Sequence, residues 1–201
     1  MNRKTLIRGL LLGAIFSTQT LIAQQSLSDS IVLDRYNKNK TNLTVLASWA
    51  GVNIVQGLIS ASNAKGADKY FFNGNAYWNF VNAGIATYGL FQLKKEVGKK
   101  YTLTENLLAQ QKLEKLLLLN TGLDLAYITT GFYLKERGTN LSSDPATGYG
   151  NTLVLQGMFL LVFDLVQYGN HRRNGKILEK EASQLQIIPT STGVGLVYRF
   201  K

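Results

Sequence analysis

Residues 43–62 read LTVLASWAGVNIVQGLISAS, a run of twenty residues without a charged side chain. Three further apolar runs follow with at most one charge each, at residues 76–93, 116–134 and 152–168. Each is close to the ~20 residues that a helix needs to cross the hydrocarbon core of a bilayer. We therefore predict an all-α fold, in which four transmembrane helices form a helical membrane bundle.

The alternative to a membrane bundle is an exported, soluble four-helix bundle. Helices of that kind carry Lys and Glu along their outer faces. The four apolar runs lack such faces and are instead rich in Gly, Ala, Ser and Thr, as is typical of helices that pack closely within a membrane. The composition therefore favours the membrane bundle.

The chain divides by composition into four parts. Residues 1–23 have a basic start, an apolar centre and a small residue, Ala23, before Gln24, which predicts a cleaved signal peptide. Residues 24–42 form a polar N-terminal segment, residues 43–172 the four-helix membrane domain, and residues 173–201 a basic C-terminal tail with a short extended end.

A local pattern repeats along the membrane domain. Residues 51–54, GVNI, match residues 122–125, GLDL, and Gly-Asn pairs open the second and fourth runs at 74–75 and 150–151. We interpret this as two tandem helical hairpins related by an axis along the membrane normal. The hairpins predict turns near residues 63–75 and 138–150, and a charged link near 95–104. Asn53 and Asp124 occupy matching positions and are predicted to face each other.

The third helix carries its own start and stop signals. Thr104 is a candidate N-terminal cap, with Glu105 in the first turn, and Gly138 is a candidate for the residue that follows the last turn. The apolar run is thus predicted to be part of a helix that starts well before it.

Polar residues recur at helical spacing within every apolar run. Because polar side chains are costly in contact with lipid, we expect them to turn inward and bond one another. The candidate interior positions are Asn53, Gln56, Asn79, Asn82, Asn120, Asp124, Gln156 and Asp164. The favoured interpretation is structural, and the alternative is a path for a proton, a cation or a small ligand that uses the two acids. If both acids are buried together, at least one should hold its proton.

No arrangement of residues points to catalysis, a cofactor or a metal. The chain has no cysteine, and the single histidine, His171, stands beside Arg172 and Arg173, where an interfacial position is expected. No phosphate-binding, dinucleotide-binding or hydrolase motif occurs. The net charge of +10 comes mainly from residues that flank the apolar runs, which favours contact with lipid headgroups over nucleic acid.

The charge distribution and the leader disagree about orientation. Fifteen basic residues fall on the side of the chain termini and four on the side of the two hairpin turns. The positive-inside rule therefore places the termini in the cytoplasm, whereas a cleaved signal peptide places the mature N-terminus outside. We expect an integral membrane protein of the bacterial cell envelope, in the inner membrane rather than the outer, with its topology open.

The motifs LIAQQ (21–25), SWAGVN (48–53), NTGLDLAY (120–127) and GVGLVYRF (193–200) resemble an uncharacterised family of envelope membrane proteins from Gram-negative bacteria. The resemblance covers the mature chain and implies no activity. We expect a non-enzymatic structural or interaction component whose partners are the bilayer, other copies of the chain or other envelope proteins. The alternative is a small transporter or channel-like bundle that uses the intramembrane acids.

Overall fold

A computed structural model describes the backbone of residues 3–190 and 193–198 and the side chains of residues 25–184. Its main elements are four helices: α1 Arg3–Asn63, α2 Gly66–Lys94, α3 Leu103–Asn140 and α4 Asp144–Gln184. A two-stranded antiparallel hairpin follows, β1 Leu185–Thr190 and β2 Gly193–Tyr198, with Leu185 opposite Tyr198. The predicted four helices are confirmed, and the extended end of the tail is one strand of this hairpin.

The two hairpin turns are much shorter than predicted. Ala64 and Lys65 alone separate α1 from α2, and Gly66 has a φ of +58°, a left-handed conformation that glycine adopts without strain. Three residues, Leu141 to Ser143, separate α3 from α4, where the Ser143 N–H donates to the Gly138 carbonyl at 2.8 Å. Residues 66–75 and 144–150, predicted as turns, are helical because helices continue through polar residues once the apolar run ends.

The signals proposed for the third helix are displaced, by two residues at its start and by four residues at its end. Thr102, rather than Thr104, caps α3: its side chain accepts from the Glu105 N–H, and the Glu105 side chain accepts from the Thr102 N–H. This reciprocal pair satisfies two of the free amide groups at the helix start. At the other end the helix runs on past Gly138 to Asn140.

The segments predicted to flank the bundle are also helical. The polar segment 24–42 continues α1, and residues 173–184 of the tail continue α4. Both prolines lie outside the helix interiors, so nothing in these segments breaks the backbone hydrogen bonding. The predicted signal peptide falls on residues whose side chains lie outside the described part, with a helical backbone from Arg3.

The helices pair as two hairpins, α1 with α2 and α3 with α4, and α2 joins the hairpins by packing on α4. We call the end that holds both turns the turn end and the opposite end the open end. Beyond Lys94, where α2 stops, α1, α3 and α4 continue toward the open end. The predicted pair of tandem hairpins is therefore present, with close contact between α2 and α4.

The distribution of polarity is the reverse of that in a soluble domain. Sixteen polar or charged side chains are buried among the described residues, against nine apolar ones. Most of the exposed large apolar side chains lie in an apolar band around the bundle, at residues 45–59, 77–91, 116–133 and 149–166. Helices α1 and α4 contain stretches that are long and apolar enough to cross a membrane, and only 22% and 28% of these stretches is buried.

Glycines allow the close approach of α3 and α4. A Cβ atom on Gly131 would lie 2.8 Å from the Gly150 carbonyl oxygen and 2.8 Å from the Val154 backbone nitrogen. On the same helix, a Cβ atom on Gly122 would meet nothing within 4 Å. The backbones of α3 and α4 thus touch where glycine is present, as small residues permit in membrane bundles.

We expect Gly131→Ala to lower the midpoint of thermal unfolding of the purified protein, because the added methyl group must push α3 and α4 apart. Overpacking of this kind typically costs about 1–3 kcal/mol. Gly122→Ala is the matched control and should be neutral or stabilising by up to about 1 kcal/mol, since alanine favours helix and has free space there. Equal midpoints for the two variants would contradict the close packing of α3 on α4.

Candidate functional site

An amide network centred on Asn75 fills the bundle interior toward the turn end. The Asn75 side chain donates to Asn53 Oδ1 on α1 at 2.8 Å and accepts from Gln156 Nε2 on α4. Trp49 Nε1 donates to the other side of the same glutamine, Gln156 Oε1, at 3.1 Å. One asparagine therefore ties three helices together through hydrogen bonds between fully buried groups.

The network extends along α2 toward the middle of the bundle. Asn79 Nδ2 donates to the Asn75 carbonyl oxygen at 2.8 Å, and Asn82 Nδ2 donates to Asn79 Oδ1 at 3.3 Å. Both asparagines are at least 96% buried. These side chains satisfy one another's donors and acceptors, which is the arrangement expected of polar groups that fix helix register.

Two carboxyl groups lie next to this network, at mid-height in the apolar band. Asp124 on α3 and Asp164 on α4 are 3% and 6% exposed, and their carboxyl groups are within hydrogen-bonding reach of each other. The Asn120 amide also reaches Asp164. Among the described residues no N–H or O–H group donates to Asp124 Oδ2. The acid pair, unlike the amides, is left with a free acceptor.

The acid pair lines a cavity of about 340 Å³ between α2, α3 and α4. The rings of Trp78 on α2 and Tyr127 on α3 meet edge to face at 4.8 Å and stand in its wall. A second cavity of about 320 Å³ adjoins it on the side of the open end, and the two share Leu46, Ile85, Asn120, Phe163 and Asp164. A polar pair of acids therefore sits in a space whose walls are mostly apolar.

The first cavity opens to the outside between α2 and α3. Val81 and Ile85 on α2 and Leu123 on α3 line it, yet they are 62%, 55% and 44% exposed. All three belong to the apolar band. The mouth of the cavity therefore lies on the apolar surface of the bundle rather than at either end.

A separate polar cluster lies beyond the apolar band, where α1, α3 and α4 continue without α2. The Arg35 guanidinium on α1 is buried, donates to Asn106 Oδ1 on α3, and lies 5.4 Å from the centre of the Tyr101 ring. Nearer the band, Arg172 on α4 pairs with Glu114 on α3 at 3.2 Å. We call this the open-end cluster, and charged hydrogen bonds hold its three helices together.

His171 sits inside the open-end cluster with its side chain fully buried. Its carbonyl oxygen accepts from Gln110 Nε2 at 2.7 Å, while neither ring nitrogen has a partner among the described residues. Burial, together with the charges of Lys38 and Arg35, lowers the pKa of the imidazole to about 4, and the charge of Asp34 opposes this shift. The predicted interfacial histidine is thus an internal, uncharged one.

Most of the predicted interior residues are where the sequence placed them. Among the eight candidates, Gln56 is exposed and Asn120 is half-buried, whereas the remaining six are buried: Asn53, Asn79, Asn82, Asp124, Gln156 and Asp164. Gln56 is exposed because it lies on the outer face of α1, whereas Asn53 and Gly57 lie on the buried face. The expected contact of Asn53 with Asp124 is replaced by bonds within each hairpin, Asn53 to Asn75 and Asp124 beside Asp164.

The sequence reading missed the open-end cluster altogether. Arg35 is predicted to lie in the polar segment before the bundle, and Asn106, Gln110 and Glu114 are not among the predicted interior residues, although they recur at intervals of four residues on α3. That spacing places three polar side chains on one helical face and was the available signal. Asn75, the centre of the amide network, is not among the predicted interior residues, although it lies four residues before Asn79.

The fold and the cavity together define a class of protein: a helical bundle with a polar, hydrogen-bonded interior and an apolar outer band. Within residues 25–184 no group of three or more His, Cys, Asp or Glu side chains could hold a metal ion.

The chain belongs to a family of unknown function, DUF6992, whose model matches residues 45–165. That match begins and ends with the apolar band on α1 and α4. No curated protein and no solved structure matches the chain.

We expect Asn75→Ala to destabilise the protein by on the order of 2 kcal/mol, because it leaves buried amide groups of Asn53 and Gln156 without a partner. Gln56→Ala is the control, since Gln56 is an exposed amide on α1. Thermal unfolding in one detergent measures both variants. A loss in Asn75→Ala no larger than that in Gln56→Ala would show that the network does not hold the helices together.

We expect His171 to make folding sensitive to acid. Its pKa is about 4 in the folded protein and 6.5 when free, so below pH 6.5 only the unfolded chain readily takes up the proton. Stability is therefore complete above pH 6.5 and falls as the pH drops toward 4, by at most about 1.4 kcal/mol per unit. In His171→Gln this component should vanish, so unfolding free energies measured from pH 8 to 4.5 should diverge between the two proteins. Parallel curves would contradict a buried neutral histidine.

Proposed function

We propose that the chain is an integral membrane protein of the bacterial cell envelope in which all four helices span the bilayer. The observation that carries the proposal is the reversed polarity of the bundle, with amides and acids inside and an apolar band outside. Soluble monomers rarely expose contiguous apolar patches beyond a few hundred Å². In a lipid bilayer the apolar band contacts acyl chains instead of water, so its exposure carries no hydrophobic penalty.

The height of the band supports this proposal. Its four segments contain 15 to 18 residues, and at 1.5 Å per residue each covers about 21–26 Å along its helix. This approaches the ~30 Å hydrocarbon thickness of a bilayer. Only α1 and α4 contain a stretch that is long and apolar enough to span by composition alone among the described residues, and on α2 the polar side chains Asn75, Asn79 and Asn82 are buried in the interior.

The hydrogen bonds between polar side chains inside the bundle also support a membrane location. In a hydrocarbon environment an unpaired polar group is costly, so polar side chains in spanning helices turn toward one another. The bonds that Asn75 makes to α1 and α4 follow this rule. Charges are concentrated on either side of the band, for example Lys94 and Lys95 at the open end and Lys135 and Arg137 at the turn end.

Within the envelope we propose a non-enzymatic role, as a structural or interaction component that contacts lipid, further copies of itself or other envelope proteins.

A second role, the binding or passage of a small cationic species, is favoured by one specific observation. The acid pair, Asp124 and Asp164, lines a cavity and includes a carboxylate oxygen without a donor. The side-chain amides of Asn75 and Gln156, by contrast, are bonded within the interior.

Cysteine labelling in native membranes tests the spanning proposal, since the chain has no cysteine of its own. We expect Leu119→Cys to react with a water-soluble thiol reagent at least tenfold more slowly than Leu108→Cys. Both positions lie on α3 and are about 60% exposed, but only Leu119 lies in the apolar band. Val55 and Leu33 give a second matched pair on α1, at 59% and 61% exposure.

The protein should also stay in the membrane pellet after a carbonate wash. Similar labelling rates within each pair, before any detergent is added, would contradict the proposal, as would release of the chain by carbonate. Similar rates within each pair after the protein is unfolded would confirm that the folded, membrane-embedded state protects the band, rather than the sequence around each cysteine.

A further inference from the structure

We propose that the cavity lined by Asp124 and Asp164 is a binding site for a small organic ammonium ion with an apolar body, which enters from the bilayer between α2 and α3. The inference rests on the proposed membrane embedding and assigns a ligand class to one site within it. Four observations carry it: the charge of the cavity wall, the unsatisfied carboxylate, the apolar and aromatic lining, and the position of the mouth.

The ionisable side chains that line the cavity are acidic, which favours a cationic ligand. Asp124 and Asp164 line the first cavity and Glu96 lines the second, while no Lys, Arg or His side chain lines either of them within residues 25–184. A buried carboxylate is costly unless it is paired. A positively charged ligand would supply the missing partner for the acid pair.

Asp124 is placed to receive that ligand. The side chain is 97% buried, and no donor from the described residues reaches Oδ2. The Asn120 amide reaches Asp164 instead. Because Asp124 lines the cavity, its free acceptor faces the space that a ligand would occupy. An ammonium N–H group would donate to this oxygen, and a fully methylated ammonium head would compensate its negative charge without a hydrogen bond.

The rest of the cavity wall suits an organic cation rather than a bare metal ion. Hard cations such as Ca²⁺ need six to eight oxygen ligands, and the first cavity offers two carboxyl groups and the amides of Asn82 and Asn120. The remaining wall is aliphatic and aromatic. Trp78 and Tyr127 stand together on one side, and an aromatic ring face attracts an organic cation.

The mouth of the cavity selects for a ligand that dissolves in lipid. Val81, Ile85 and Leu123 line the cavity and are exposed within the apolar band. The opening therefore faces acyl chains when the bundle is embedded in a bilayer. An inorganic ion would have to lose its water before reaching this opening. An amphiphilic ammonium ion reaches it with its apolar body in the bilayer and its charge directed toward the acids.

The experiment uses the full chain in phosphatidylcholine nanodiscs, which carry no net surface charge. Trp49→Phe leaves Trp78 as the single tryptophan, so its fluorescence reports on the cavity wall. We expect benzyltrimethylammonium to produce a saturable change in this fluorescence. Neopentylbenzene, its neutral isostere, should bind at least tenfold more weakly because it has no charge to offer the acids.

Substitutions then identify the groups responsible. Asp124→Asn and Asp164→Asn, made in the same background, should each weaken binding of the cation at least tenfold while the thermal unfolding midpoint stays at or above that of the parent. Asp144→Asn is the matched control, because Asp144 is an exposed acid on the same helix as Asp164 and lies outside both cavities. Its affinity should not change.

A further pair tests the route of entry. Val81→Phe narrows the mouth and should slow association of the cation, whereas Val55→Phe, on an exposed part of α1 away from the cavity, should not. The site proposal is overturned if the neutral isostere binds as well as the cation, if the Asn variants keep full affinity, or if the parent shows no saturable change. Release of the chain by carbonate would overturn the membrane proposal and the route of entry from the bilayer, whereas the cation site itself is still tested by binding measured in detergent.

Discussion

The hydrogen bonds of Asn75 are the constraint on which the arrangement of the bundle depends. This side chain bonds Asn53 on α1 and Gln156 on α4, so α1, α2 and α4 cannot slide or rotate independently. Apolar contacts alone would not fix this register, because the outward faces of the helices are as apolar as the lipid they would meet. The polar interior therefore performs the specifying role that a shaped apolar core has in a soluble protein.

The acid pair differs from this network in chemistry as well as position. Amides carry donors and acceptors, so the asparagines satisfy one another in a continuous chain, whereas two carboxyl groups bring mainly acceptors. Placing Asp124 beside Asp164 leaves one oxygen without a donor in a site from which water is largely removed. An asparagine at either position would supply an N–H donor at little steric cost. The bundle therefore does not need two acids for its stability.

The sequence predicted the four helices, their pairing and six buried interior residues, because apolar runs and polar residues at helical spacing are local signals. It failed where the outcome depends on neighbouring helices. Gln56 and Asn53 lie three residues apart on α1, and only the position of α2 decides that Asn53 faces inward. Likewise, residues 24–42 are predicted as a polar segment and residues 103–115 as the start of the third helix, and only the approach of α1, α3 and α4 buries Arg35 and Asn106.

The cavity itself follows from where the glycines are. Gly74 on α2 meets Thr152 of α4, and Gly148 on α4 meets Ala67 of α2, so these two helices touch near the turn end. Gly131 and Gly150 hold α3 against α4 in the same region. With α4 in contact with both, α2 and α3 are left as neighbours that approach through the Trp78–Tyr127 ring pair, and the space beyond it toward the open end is not filled. Close packing at one end and a lateral opening at mid-height are therefore two consequences of one pattern of small residues, and the acids lie at the depth where that opening begins.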